Sequence, residues 1–129
     1  MATSEQIGEI AMILLTFRDQ LKIYHWMTTN YARHKATDIL VVSLTAQMDR
    51  FMETLQGSKN KRLKLSSKNK IIKFENPSDS SILDVLVAFK NWLTNILPTY
   101  LKPFDKDLSN IRDEILGSVN HAIYLFTLH

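Results

Sequence analysis

The chain has 129 residues, 45% of them hydrophobic and 22% charged, a composition typical of one soluble globular domain over residues 1–129. It contains no cysteine, which excludes disulfides, zinc–thiolate sites and thiol nucleophiles. The formal net charge is +3, but seven of the 16 basic residues lie between Lys59 and Lys73, where there is no acidic residue. A mildly acidic body therefore carries one strongly basic loop, which could bind nucleic acid or lie free in solvent.

Four helices are predicted, because only three glycines and three prolines occur and apolar residues recur at helical spacing. The first covers about residues 4–29, with Ser4 as its cap, and the second about residues 31–55, ending at Gly57. A polar crossover over residues 58–78, in which the stretch IIKF could be extended, leads to a third helix, capped by Asp79 or Ser80, that ends or bends at Pro98. The fourth covers about residues 105–127. The apolar spacing also predicts the inward-facing residues of three helices: Ile7, Ile10, Ala11, Leu14, Phe17, Leu21 and Tyr24 in the first, Ile82, Leu86, Phe89, Leu93 and Ile96 in the third, and Leu108, Ile111, Ile115, Val119, Ala122 and Phe126 in the fourth. These boundaries predict an all-α fold of four helices with one long connection.

Targeting signals are not evident. Glu5 and Glu9 precede the first apolar stretch, which argues against a signal peptide, and no apolar run reaches membrane-spanning length. We therefore expect a cytoplasmic protein.

The second predicted helix carries a series of metal-ligand side chains at helical spacing. His34 is followed by Asp38 four residues later, by Asp49 after eleven more, and by Glu53 after another four. These intervals place all four on one stripe of the helix, and imidazole with carboxylates suits a transition metal such as iron.

The two halves of this series lie too far apart to bind one metal ion within a single chain. His34 with Asp38 and Asp49 with Glu53 are separated by about 16 Å along a helix axis. Two antiparallel copies of the helix, related by a two-fold axis, would bring unlike halves together at two equivalent places. The spacing therefore predicts a metal site built between subunits.

The segment LKIYHWMTTNYARHKATDILVVSLTAQMDRFMETLQG resembles the core of Dps proteins, the ferritin-like "DNA-binding proteins from starved cells". In that family a His-Trp pair near the end of the first helix precedes a second helix with His, Asp, Asp and Glu at these intervals. The pair here is His25-Trp26. The resemblance covers about the first 57 residues. Beyond them, helix count and chain length are compatible with a ferritin-like four-helix bundle that has a long crossover between helices 2 and 3.

The resemblance implies an activity and an assembly. Dps-like proteins form hollow homo-dodecamers, bind iron at two-fold interfaces, oxidise Fe(II) with peroxide or dioxygen, and store the ferric product. The expected metal-binding and catalytic residues are His25, His34 and Asp38 of one chain with Asp49 and Glu53 of its neighbour. Trp26 would pack beside them. Since only nine residues separate His25 from His34, the two can converge only if the chain turns near Thr29.

Other interpretations use different residues. A di-iron site inside the bundle requires Glu-x-x-His, and no glutamate here has histidine three residues later. Asp113, Glu114 and His121 on the last helix could line a cavity that attracts Fe(II). A non-enzymatic alternative is a helical oligomer whose basic loop, Lys59 to Lys73, binds DNA, other nucleic acid or a protein partner.

Overall fold

Helices form the regular structure of residues 2–66 and 73–128, which are the residues that the computed structural model describes. Helix α1 spans Ser4–Met27, α2 Tyr31–Lys59, α3 Ile82–Asn91 and α4 Lys106–Leu125. After α3 the helical path continues as a π turn, Trp92–Ile96, and a 3₁₀ turn, Leu97–Tyr100. No strand occurs in this part of the chain. The prediction of an all-α fold with four helices is confirmed.

A common hydrophobic core lies between the helices. Helix α2 packs against α1 and α4, and α3 packs against α4 and α1. Phe17 of α1 stacks on Phe89 of α3 with ring centroids 3.7 Å apart. Every α1 and α4 residue predicted to face inward is buried, which confirms the periodicity in these helices; in α1 they are Ile7, Ile10, Ala11, Leu14, Phe17, Leu21 and Tyr24, and in α4 Leu108, Ile111, Ile115, Val119, Ala122 and Phe126.

The two described parts of the crossover, residues 60–66 and 73–81, contact α1 near opposite ends. The Lys64 amide donates to the Ser4 carbonyl at 3.0 Å. Further along, Gln20 donates to the Glu75 carbonyl at 3.0 Å and accepts from the Glu75 amide at 2.8 Å. Because the crossover returns to the α1–α2 turn before α3 starts, α2 and α3 begin at the same end of the molecule.

Some predicted boundaries were wrong for local reasons. Thr3, not Ser4, caps α1, in a reciprocal arrangement with Gln6. Helix α2 continues through Gly57 to Lys59 and is capped by Asn60, whose φ of 50° places it in the left-handed region that ends helices. Neither Asp79 nor Ser80 caps α3, which is preceded by Ser81.

The segment predicted to be extended, IIKF, begins with residues 71 and 72, which lie outside the described part of the chain. No helix in the described residues is both long and apolar enough to cross a membrane.

Candidate functional site

The turn between α1 and α2 determines where the two histidines lie. Helix α1 ends at Met27, and the Asn30 side chain caps α2 by accepting from the Arg33 amide at 3.0 Å. The chain thus reverses direction over residues 28–30, which include Thr29. This is the turn that His25 and His34 require in order to approach each other, and they do: their rings are stacked with centroids 3.9 Å apart.

Two reciprocal hydrogen bonds hold the histidine pair. His25 Nδ1 lies 2.8 Å from the His34 carbonyl oxygen, and His34 Nδ1 lies 3.0 Å from the His25 carbonyl oxygen. A carbonyl oxygen only accepts, so each Nδ1 carries the hydrogen and donates. Each Nε2 then has a free lone pair, and metal-binding histidines are oriented by this same type of Nδ1–H bond to a carbonyl.

Thr37 is a buried partner of the pair that the sequence did not reveal. Its hydroxyl oxygen lies 3.0 Å from His25 Nδ1 and 2.8 Å from the Arg33 carbonyl, to which it donates. Burial lowers the pKa of His25 below its ordinary value, and the neighbouring His34 lowers it further. Both effects favour the neutral imidazole, which is the form that binds metals.

A second network fixes the backbone on either side of the histidines. The Tyr24 hydroxyl donates to Asp79 Oδ1 at 2.5 Å, and Arg33 Nη1 donates to the Asp79 carbonyl at 2.6 Å. Tyr24 and Arg33 immediately precede His25 and His34. The Tyr24 hydrogen bond lowers the pKa of Asp79, while burial raises the pKa of Tyr24. Asp79, at the end of the crossover, therefore stabilises the turn between α1 and α2 that carries the two histidines.

The three carboxylates of the series are exposed on the outer face of α2. Asp38 lies near enough to His25 for its charge to favour the protonated imidazole, whereas Asp49 and Glu53 lie on the distal half of the helix. Within the described residues, no hydrogen bond or ion pair holds Asp38, Asp49 or Glu53. In that same part of one chain, no three of His, Asp and Glu lie close enough together to bind a metal ion. A site that uses all five residues requires a second chain.

Exposed apolar side chains lie between these carboxylates. Val42 is 66% exposed and Ile39 50% exposed, and Ala46 is also exposed. Val42 lies on the helix stripe that joins Asp38 to Asp49. The outer face of α2 thus has an apolar centre with potential ligands toward both ends.

The aromatic residues near the turn between α1 and α2 are also exposed. Trp26 is 70% exposed, and the Lys22 ammonium lies 5.8 Å from its ring centroid. Tyr31 stacks against His34 with centroids 6.4 Å apart. In the single chain, Trp26 contributes little to the core.

The α4 residues of the alternative metal site, Asp113, Glu114 and His121, do not come together in the structure; the two carboxylates form ion pairs with arginines. Glu114 pairs with Arg50 at 2.8 Å, and Asp113 with Arg112 at 2.7 Å, on the surface. His121 lines a small cleft between α2 and α4, together with Ile39 and Ser43.

The basic loop has one buried member. Lys59 makes an ion pair with Asp105, so it does not contribute to an exposed basic surface. Arg62, Lys64 and Lys73 are exposed, while Lys68 and Lys70 lie outside the described residues. Nucleic-acid binding through this loop stays a prediction.

A family model described as "Family of unknown function (DUF5856)" matches residues 25–126. The chain belongs to this family. The match begins at His25 and includes all five predicted ligands, so the histidine pair and the α2 series lie within the family's domain. Neither a curated protein nor a solved structure matches the chain.

Proposed function

We propose that this protein is a Dps-like ferroxidase, which binds Fe(II) as its substrate between two subunits and oxidises it with peroxide or dioxygen. The observation that carries the proposal is the histidine pair, in which hydrogen bonds of 2.8 and 3.0 Å to carbonyl oxygens leave both Nε2 atoms free as ligands. The adjoining outer face of α2 supplies the carboxylates. A ferritin-like bundle is the fold we propose, and the long connection between α2 and α3 supports it.

The arithmetic of the α2 series supports a two-fold arrangement. His34 and Glu53 have their midpoint between residues 43 and 44, and Asp38 and Asp49 have the same midpoint. In an antiparallel pair centred there, His34 of one chain lies opposite Glu53 of the other, and Asp38 lies opposite Asp49. Val42, near this centre, would pack against its copy and exclude water between the two sites.

The residues have separate roles in the proposed reaction. His25 and His34 bind Fe(II) through Nε2, and the carbonyl-bound Nδ1–H groups keep the rings oriented. The carboxylates of Asp38, Asp49 and Glu53 are hard anionic ligands, which favour Fe(III) over Fe(II) and so promote loss of one electron from each iron. Two Fe(II) ions supply the two electrons that, with two protons from solvent, reduce one hydrogen peroxide to two waters. The dodecameric shell and the stored mineral stay predictions.

Mixing two inactive chains tests the shared site. One chain carries His34→Ala and Asp38→Asn, and the other carries Asp49→Asn and Glu53→Gln. Each alone should lose Fe(II) oxidation by at least about tenfold, because each site in its homodimer lacks two of its five ligands. A mixed dimer contains one site with all ligands intact. After subunit exchange, an equal mixture should therefore recover about one quarter of the wild-type sites.

The control chain for this experiment carries Asp84→Asn and Asp107→Asn, two exposed carboxylates on α3 and α4. It should oxidise Fe(II) at the wild-type rate. Activity is measured by anaerobic addition of peroxide, with helix content and assembly checked by circular dichroism and light scattering. If both inactive chains are folded and exchange subunits, but the mixture stays inactive, the proposed shared site is wrong.

A further inference from the structure

The outer face of α2 has an excess of negative charge that a second copy would double. Asp38, Asp49 and Glu53 are exposed, and Lys35 is the one exposed cation beside them that no carboxylate in the described residues pairs with. Arg50 lies on this face too, but it is already neutralised by Glu114 at 2.8 Å. Each proposed site would thus combine three carboxylates with two cations, Lys35 and the Lys22 ammonium that acts on His25, so an excess of negative charge is left.

We propose that a divalent metal ion controls association of two chains through this face: without the ion the chains repel, and with it they dimerise. The inference rests on the proposed function and adds a regulation to its site. A divalent ion bound between the carboxylates of the two copies would offset this excess of negative charge. The apolar centre of Val42, Ile39 and Ala46 is small beside the area of a stable dimer interface, so it does not overcome this repulsion by itself.

Reciprocity follows from this coupling. If the ion strengthens dimerisation by a given factor, the dimer must bind the ion more tightly than the single chain by the same factor, so binding of the ion should strengthen as protein concentration rises. A single chain gathers too few ligands within the described residues for a site of its own, so metal-free chains should stay apart until the ion arrives. Iron would then be taken up and the catalytic site completed in one step.

Sedimentation velocity with Co(II) as the probe tests the proposal, because Co(II) resembles Fe(II) but is stable in air. In chelator the wild-type chain should associate weakly. One Co(II) per chain should strengthen dimerisation on the order of 5–150-fold. Added KCl should also strengthen the metal-free dimer by screening the carboxylates. A metal-free dimer that is as tight as the Co(II) form, or that salt weakens, would overturn the proposal.

A double substitution separates repulsion from ligation. Asp38→Asn with Asp49→Asn keeps the size of both side chains and removes their charge, so this chain should dimerise in chelator and not respond to Co(II). The Asp84→Asn/Asp107→Asn chain is the matched control and should behave as wild type. If the amide chain stays monomeric in chelator, charge repulsion does not control dimerisation. That result leaves the shared ferroxidase site intact, because subunit mixing tests it independently.

Discussion

At the scale of single residues, His25 is a titratable side chain that is buried and stacked on a second imidazole, that of His34. Its Nδ1–H donates to the His34 carbonyl at 2.8 Å and lies 3.0 Å from the Thr37 hydroxyl. Protonation would add a charge to a buried ring stacked on another histidine. The His34 carbonyl thus selects the Nδ1–H tautomer of His25, while burial and the neighbouring His34 lower its pKa and favour the neutral form.

The lowered pKa of His25 makes stability depend on pH. In the folded chain burial, and then His34, hold this pKa below its ordinary value. The unfolded chain therefore binds the proton more readily, and the stabilisation is complete above the ordinary pKa of about 6.5 and is lost as pH falls through the folded value. Between about pH 7.5 and pH 5, urea unfolding should show a larger loss of stability for wild type than for His25→Asn. Equal pH dependence in the two chains would contradict this account.

At the scale of the elements, Gly8 shows how closely the crossover approaches α1. A Cβ added there would lie within 2.3 Å of the Lys64 carbonyl oxygen. Gly8→Ala should therefore destabilise the fold by about 1–3 kcal/mol, although alanine favours helices. Gly117→Ala is the matched control: no atom lies within 4 Å of its added Cβ, and it should stabilise α4 by about 0.5–1 kcal/mol. Chemical denaturation measures both, and a stabilised Gly8→Ala chain would mean that the crossover is not held against α1.

The helices were predictable from the sequence, but features that depend on distant contacts were not. Apolar periodicity identified the inward face of α1 and α4. It failed at Ile96, which is 49% exposed while Leu97 is buried, because the π turn closes a longer loop of backbone and shifts the register. The predicted end of α2 at Gly57 was wrong because this glycine lies within the helix, with open space around it.

In the candidate site, too, local features were predictable from the sequence and contacts between distant residues were not. Spacing alone placed His34 and the carboxylates on one stripe, and the required turn near Thr29 is present. The residues that hold the histidines in place could not be predicted from the sequence. Asp79 is 55 residues from its partner Tyr24, and nothing in the sequence around Thr37 indicates that it contacts His25. Ligand candidates can be recognised by local intervals, whereas their supports are defined only when the chain is folded.

At the scale of the whole molecule, the two ends of α2 are anchored differently. The beginning of the helix joins α1 and the crossover around the histidines. Its end is tied to the start of α4 by the ion pair of Lys59 and Asp105, whose side chains are 5% and 4% exposed. Both oxygens of Asp105 lie 2.8 Å from Lys59 Nζ, and one of them also accepts from the Lys102 amide at 2.8 Å. The Lys59 hydrogen bond lowers the pKa of Asp105, so this carboxylate stays charged in the core.

Removing one member of this pair should be far more costly than breaking an exposed pair between the same helices. Lys59→Met leaves the Asp105 charge buried without its cation and should cost about 3–5 kcal/mol in the free energy of unfolding. Arg50→Met breaks the pair with Glu114 at the surface and should cost at most about 1 kcal/mol. Adding Asp105→Asn to Lys59→Met should recover part of the loss, since the amide removes the charge and can still accept from Lys102. Urea unfolding of the three chains measures these differences; similar costs for Lys59→Met and Arg50→Met would mean that water reaches Asp105 and that α4 is not anchored to α2 there.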